Sequence, residues 1–233
     1  MRLRTLPLAI ASIGMGSFLA AAVSGFRLDV FLLALLTTVS LQILSNLAND
    51  YGDSVHGADS ADRSGPSRAV QTGAITSGKM KSAIGTSVIV SLALGLSLLG
   101  VAGISQKVFL IFIGLGLLAI AAAILYTNGD RPYGYIGLGD ISVFLFFGWL
   151  GVVGVYYLMT GNFEWDLLLP GAASGLFTVA VLNVNNIRDI ESDIKAGKYS
   201  IPVRLGRSRA TLYHSSLLIV CLLYTSPSPR DRG

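Results

Sequence analysis

The chain has 233 residues, of which 52% are hydrophobic and 13% are charged, and its mean hydropathy is +0.66. Soluble domains carry about 25% charged residues, so this composition excludes an ordinary soluble domain and indicates a protein surrounded mainly by lipid. The net charge of +4 comes from basic residues scattered between apolar runs, which argues against nucleic-acid binding, and one cysteine with two histidines excludes a disulfide framework or a Cys/His zinc site.

Apolar runs of about 20 residues, the length that crosses a bilayer, recur along the whole chain. They lie near 6–23, 28–48, 83–104, 108–126, 136–158 and 167–184, and a seventh begins near Thr211. We therefore predict an all-α, polytopic transmembrane helical bundle with about seven spans. The first run also has the character of a signal peptide, but it is long for that role and further spans follow it.

The basic residues predict the orientation of these spans. Thirteen Lys and Arg residues fall on the side of the N-terminus, whereas only Arg27 and Lys107 fall in loops on the other side. Because basic loops stay in the cytoplasm, we predict that the N-terminus and the long polar connections 49–82 and 185–210 are cytoplasmic. The expected location is the inner membrane of a bacterium.

The end of the chain differs in character from the rest. The seventh apolar run stops after about a dozen residues, too few to finish a span. We expect one transmembrane domain over residues 1–220, truncated at its C-terminus, and a non-native tail over residues 221–233.

Two acidic clusters stand where predicted spans reach the cytoplasm. The first cluster consists of Asn46, Asn49, Asp50 and Asp53, after the second run, and the second consists of Asn185, Asn186, Asp189 and Asp193, after the sixth run. On helices, the spacing within each cluster would put its acids and an amide on one face. Charges that merely end two helices are the alternative, but carboxylates beside apolar spans are costly and favour a functional role.

Two acidic faces on the same side of the membrane would supply hard oxygen ligands to a shared site. Mg²⁺ is typically bound by one or two carboxylates together with substrate phosphates, so a diphosphate would complete its coordination. Basic residues next to the clusters are candidates for gripping that diphosphate: Arg63, Arg68, Lys198 and Arg204. The alternative for these residues is that they only enforce the orientation of the loops.

At these clusters the sequence resembles the UbiA-type intramembrane aromatic prenyltransferases. The resemblance covers residues 1–220 and is carried by 41–53, 131–140 and 181–189, which are similar to the branch of the family that prenylates 1,4-dihydroxy-2-naphthoate in menaquinone synthesis. It implies a bundle with about two spans more than are found here. It also implies that Asp50, Asp53, Asp189 and Asp193 hold Mg²⁺ and act in catalysis, and that the four Asn side chains with Tyr126, Arg131 and Tyr133 line the substrate pocket.

The function implied by this resemblance is transfer of a polyprenyl group from polyprenyl diphosphate to an aromatic acid, 1,4-dihydroxy-2-naphthoate, with decarboxylation to demethylmenaquinone. Three alternatives stay open: an ion-coupled transporter that uses the acidic clusters, a prenyltransferase for another aromatic acceptor, and a phosphotransferase with a nucleotide-activated donor. Transporter sites usually lie near the bilayer midplane, whereas both clusters are predicted at the interface. Neither prenyl length nor oligomeric state is predicted.

Overall fold

The computed structural model describes residues 6–55 and 75–225. These two ranges are helical and hold no strand. The helices are α1 (Leu6–Ala22), α2 (Leu28–Val55), α3 (Ser77–Ala102), α4 (Gln106–Leu125), α5 (Gly139–Val143), α6 (Val155–Thr160), α7 (Leu168–Arg188), α8 (Ile190–Lys195) and α9 (Ile201–Thr225). The prediction of an all-α fold is confirmed.

Within the described ranges, five helical segments are long and apolar enough to cross a bilayer. They are α2, α3, α4, the continuous segment Gly139–Thr160 and the segment Trp165–Arg188 that contains α7. Helix α1 is apolar but has 17 residues. Helix α9 includes the predicted seventh run, which begins near Thr211, but the helix starts in a basic region and its backbone leaves helical geometry at Gly206. The chain is a multi-pass membrane protein.

The segment Gly139–Thr160 is unusual because its middle, Phe144–Gly154, is a π-helix between α5 and α6. Its glycines allow close contact with α7. A Cβ atom on Gly148 would lie 2.7 Å from the carbonyl oxygen of Gly171 and 3.0 Å from Cα of Gly175. Small residues of this kind let membrane helices approach until their backbones touch.

The helices form one bundle in which α2 packs on α3, α1 packs on the π-helix, and α7 packs on both the π-helix and α9. One end of the bundle holds the turn before α2, where Arg27 donates hydrogen bonds to the carbonyl oxygens of Val101 and Ala102 and so satisfies the end of α3. The other end, which we call the acidic face, holds the ends of α2, α4 and α7 and the start of α3. Both acidic clusters lie there.

Candidate functional site

A cavity of about 560 Å³ extends from the acidic face into the bundle. Its α2 wall runs from Asp53 to Ala34, a distance of about 28 Å at the rise of an α-helix. The polar side chains at its outer end are Asn46, Asn49, Asp53, Tyr126, Thr127, Tyr133, Asn185, Asn186, Arg188, Asp189 and Lys198. Its deeper wall is mainly apolar and includes Ile13, Leu98, Phe112, Phe146, Leu150 and Leu158. The cavity therefore suits an elongated ligand with a charged head and an apolar tail.

The first acidic cluster lies on an unbroken part of α2, as its spacing predicts. Asn46, Asp50 and Asp53 are 3%, 6% and 6% exposed, so the carboxylates are buried rather than solvated. Asp53 accepts a hydrogen bond of 3.0 Å from the hydroxyl of Tyr135. Buried carboxylates are costly unless partner groups compensate their charge, which argues against the alternative that these residues merely end a helix.

Contacts with the end of α4 hold the first cluster in place. The Thr127 hydroxyl lies 3.2 Å from the carbonyl oxygen of Ala48 and 3.1 Å from Oδ1 of Asn49, and the amide of Asn128 donates to Ala48 at 2.9 Å. Gly52 allows this approach, because a Cβ atom there would lie 2.5 Å from the backbone oxygen of Thr127. The position of the acids on α2 therefore depends on a residue without a side chain.

The second cluster departs from the single helical face that its spacing predicts. Helix α7 ends at Arg188, Asp189 has φ −95° and ψ 11°, and α8 starts one residue later. Asp189 and Asp193 are nevertheless both buried. Arg188 donates to both oxygens of Asp189, at 2.7 and 2.8 Å, and the ammonium group of Lys198 lies 3.1 Å from Oδ2 of Asp193. The break in the helix thus coincides with two separate ion pairs.

The two clusters share one electrostatic environment. Burial raises the pKa of Asp193, Lys198 lowers it, and the negative charges of Asp189 and Asp53 raise it further. Burial also raises the pKa of Tyr126, with smaller contributions from nearby groups that include Asp53 and Asp193. Carboxylates from α2 and α8 therefore act on the same groups, and the ends of the second and sixth predicted spans converge on the cavity.

An aromatic pair forms part of the cavity wall. The rings of Tyr126 and Tyr133 meet edge to face with centroids 5.4 Å apart. Two glycines fit closely around Tyr126, since a Cβ atom on Gly134 would lie 2.9 Å from its Cζ and one on Gly139 would lie 2.9 Å from its hydroxyl. This packing fixes the ring of Tyr126 in the wall.

The donor set fits a divalent metal that is held jointly with a substrate. Asp53 and Asp189 line the cavity, and Asp50 and Asp193 are buried beside them in their clusters. In the described part of the chain, no three His, Cys, Asp or Glu side chains are grouped to enclose a metal by themselves. Carboxylate oxygens are ligands that hard divalent cations prefer, so the residues present fit such a cation.

The basic residues predicted at the site from the sequence differ in whether they line the cavity. Lys198 lines the cavity, and its role in binding diphosphate stays a prediction. Arg131 and Arg204 are exposed and do not line it, so the prediction that Arg204 grips a diphosphate and that Arg131 lines the pocket finds no support in their positions. Arg63 and Arg68 lie outside the described residues.

Sequence reasoning missed several residues that the structure brings to the site. From the sequence, Arg188 is assigned no role at the site, although its place directly before Asp189 is a signal. Thr127 gave no signal, because its partner Asn49 is 78 residues away in the chain. Tyr135 lies within the segment 131–140 that carries the resemblance, but its contact with Asp53, 82 residues away, could not be predicted. Outside the site, the hydroxyl of Tyr213 donates to the buried carboxylate of Asp140.

The chain is similar to known proteins over most of its length. The UbiA prenyltransferase family matches residues 8–229. The chain is 52% identical to the 1,4-dihydroxy-2-naphthoate octaprenyltransferase of Escherichia coli and 51% identical to that of Haemophilus influenzae, in each case over 95% of this chain and 73% of the relative. It is 39% identical to the protein of the same name from Mycobacterium tuberculosis, over 96% of this chain and 74% of the relative. No solved structure matches. The chain belongs to the UbiA prenyltransferase family.

Proposed function

We propose that this chain transfers a polyprenyl group from its diphosphate to 1,4-dihydroxy-2-naphthoate, with release of diphosphate and CO₂. The observation that carries the proposal is the cavity, which joins a charged end at the acidic face to an apolar interior. The relatives named 1,4-dihydroxy-2-naphthoate octaprenyltransferase support the choice of donor and acceptor.

The charged end would bind the diphosphate. Members of the family are generally dependent on a divalent metal, and we propose Mg²⁺ held by Asp50, Asp53, Asp189 and Asp193. When bound, the metal supplies positive charge that neutralises the leaving diphosphate. Lys198 adds a cation at the cavity wall, and we propose that Arg63 and Arg68 add two more.

Arg188 would act at the same end in a different way. Its guanidinium group is engaged with both oxygens of Asp189, which holds that carboxylate in one orientation. We do not assign Arg204 to the diphosphate, because it is absent from the cavity wall and its guanidinium group donates to the backbone carbonyl oxygens of Ile136 and Tyr199.

The apolar interior would receive the prenyl chain. Cleavage of the allylic C–O bond leaves a carbocation, which water would quench, so a cavity enclosed by apolar helices protects the reacting carbon. The four Asn side chains and the pair Tyr126 and Tyr133 line the polar part of the wall, next to where the acceptor ring must lie. Their amides and hydroxyls are suited to its carboxylate and hydroxyl groups.

The chemistry balances without a further reactant. Cleavage of the allylic C–O bond releases diphosphate, and a ring carbon of the acceptor then attacks the prenyl cation and forms the new C–C bond. The proton lost from that carbon takes the place of the carboxylate, which leaves as CO₂. The product is the hydroquinone form of demethylmenaquinone.

We further propose that the acidic face is cytoplasmic and that the membrane is a bacterial inner membrane. The distribution of Lys and Arg supports this orientation, because in the described part of the chain Lys79, Arg131, Arg188, Lys195 and Lys198 lie at helix ends or connections of the acidic face, while Arg27 and Lys107 lie at the opposite end.

A transfer assay tests the proposal. Membranes that contain the protein are incubated with labelled prenyl diphosphate, Mg²⁺ and either 1,4-dihydroxy-2-naphthoate or a monocyclic hydroxybenzoate, and membranes without the protein are the control. We expect a prenylated naphthoquinol, one CO₂ for each product molecule, and loss of activity on chelation with EDTA. Preferred prenylation of the hydroxybenzoate would contradict the acceptor. Ion flux in proteoliposomes without prenyl transfer would contradict the whole proposal.

A further inference from the structure

Tyr135 is buried and contacts the surroundings of both acidic clusters. Its hydroxyl donates a hydrogen bond of 3.0 Å to Oδ1 of Asp53 in the first cluster. Its carbonyl oxygen accepts a bond of 2.8 Å from the backbone N–H of Tyr199. Tyr199 directly follows Lys198, the cation that pairs with Asp193 in the second cluster. One residue of the connection between α4 and α5 therefore links a carboxylate of one cluster to the cation of the other.

Arg204 holds this link from the outside. Its guanidinium group donates to the carbonyl oxygen of Ile136 at 2.8 Å and to that of Tyr199 at 3.0 Å, so it joins the same two chain segments. Gly137, the residue after Ile136, has φ +84°, and a Cβ atom there would lie 3.1 Å from the carbonyl oxygen of Tyr199. The contact between Tyr135 and Tyr199 is thus reinforced by a forked donor, and a side chain at residue 137 would crowd it.

We propose that Tyr135 is a positioning residue that orients Asp53 and keeps the two acidic clusters in register for joint binding of metal and diphosphate, with Arg204 fixing the turn that carries it. The inference rests on the proposed function. A hydrogen bond to one oxygen of a carboxylate restricts the rotation of that group, and loss of such a partner typically lowers metal affinity or activity by about 10- to 100-fold.

The first test uses Tyr135→Phe, which removes the hydroxyl and keeps the buried ring. The matched control is Tyr156→Phe, which removes a hydroxyl that donates to Glu164 at the opposite end of the bundle. The full chain in detergent is titrated with inorganic pyrophosphate at fixed Mg²⁺, and its thermal stabilisation is measured. We expect the half-saturating pyrophosphate concentration to rise about tenfold in Tyr135→Phe and to stay at the wild-type value in the control. Equal binding by Tyr135→Phe and the wild type would overturn the proposal.

A second measurement keeps the ring and the hydroxyl of Tyr135, so its hydrogen bond to Asp53 is retained. We place 3-fluorotyrosine at position 135, or at position 156 as a control, and record the ¹⁹F NMR resonance before and after addition of Mg²⁺ and pyrophosphate. We expect the resonance at 135 to shift, because its hydroxyl contacts a carboxylate whose charge becomes shared with metal, and the resonance at 156 to remain in place. An unmoved resonance at 135 in protein that is stabilised by pyrophosphate would refute the positioning role.

The two levels of proposal fail in different ways. If the wild-type protein transfers no prenyl group and is not stabilised by Mg²⁺ and pyrophosphate, the proposed function fails and the role of Tyr135 falls with it. If the wild-type protein transfers the prenyl group while Tyr135→Phe binds pyrophosphate normally, the role of Tyr135 alone is refuted.

Discussion

The two acidic clusters reach the same cavity by different means. The first lies on the continuous helix α2, and its position depends on the contact of Gly52 with Thr127 at the end of α4. The second lies across a break between α7 and α8, and its acids are paired with Arg188 and Lys198, which are close to them in sequence. Asp53 accepts a bond from Tyr135, which comes from a distant part of the chain.

This difference shows that an acidic cluster can be held at the cavity either by an unbroken helix or by ion pairs across a helix break. On an unbroken helix, the helical geometry aligns the side chains of a cluster. Their position then depends only on how that helix packs against the neighbouring helices. A cluster across a break loses that alignment, and local ion pairs orient each carboxylate instead. The following predictions test whether the two clusters are equal in function and different in support.

The largest effect is expected from Asp53→Asn and Asp189→Asn, one in each cluster. Each change keeps the shape of the side chain and removes a carboxylate at the cavity wall. We expect kcat for prenyl transfer to fall more than about a hundredfold in both, beyond what loss of a supporting group costs. The control is Asp166→Asn, an exposed position at the opposite end of the bundle, which should retain wild-type activity. A near-normal rate in either cluster variant would show that the clusters do not share one metal site.

An intermediate effect is expected from Gly52→Ala. The new methyl group would lie 2.5 Å from the Thr127 backbone oxygen, so α2 and the end of α4 must move apart. We expect a destabilisation of about 1–3 kcal/mol, seen as a lower Tm of the purified protein, together with weaker prenyl transfer because Asp50 and Asp53 shift. Gly85→Ala on α3 is the control, since its new Cβ meets nothing within 4 Å. An unchanged Tm in Gly52→Ala would contradict the dependence of the first cluster on this contact.

The smallest effect is expected from Lys198→Met, in the pH dependence of kcat/KM. Burial raises the pKa of Asp193 and Lys198 lowers it, so loss of the ammonium group moves that pKa further up. At a given acidic pH more of Asp193 is then protonated, and the acidic limb of the profile should move to higher pH. Lys107→Met, at the opposite end of the bundle, should leave the limb in place. A limb that moves to lower pH would contradict the ion pair.

Features that depend on short stretches of chain could be predicted from the sequence. The apolar runs predicted the helices that are long enough to span the bilayer, because lipid selects for apolar side chains along a whole span. The resemblance of three short segments predicted the family, which the comparisons confirm. The sequence also placed Asp53 and Asp189 where two spans end on the same side of the membrane, and both side chains line the cavity.

The backbone geometry of the second cluster and the contacts between distant segments could not be predicted in this way. The spacing of Asn186, Asp189 and Asp193 would put them on one face of a single helix. The helix is interrupted at Asp189, and Asp189 and Asp193 form ion pairs with Arg188 and Lys198 respectively. Arg204 was predicted at the diphosphate because it is basic and near the second cluster in sequence, yet its guanidinium group binds the carbonyl oxygens of two chain segments.

The sequence by itself determined that this protein is a helical membrane protein with two acidic clusters at one face, since hydropathy and charge act residue by residue along each span. Only the tertiary structure decided which polar groups meet. The hydrogen bond from Tyr135 to Asp53 and the contact of Gly52 with Thr127 depend on how closely α2 and the chain after α4 approach each other. That distance is set by packing across the whole bundle, and no pattern within either segment encodes it.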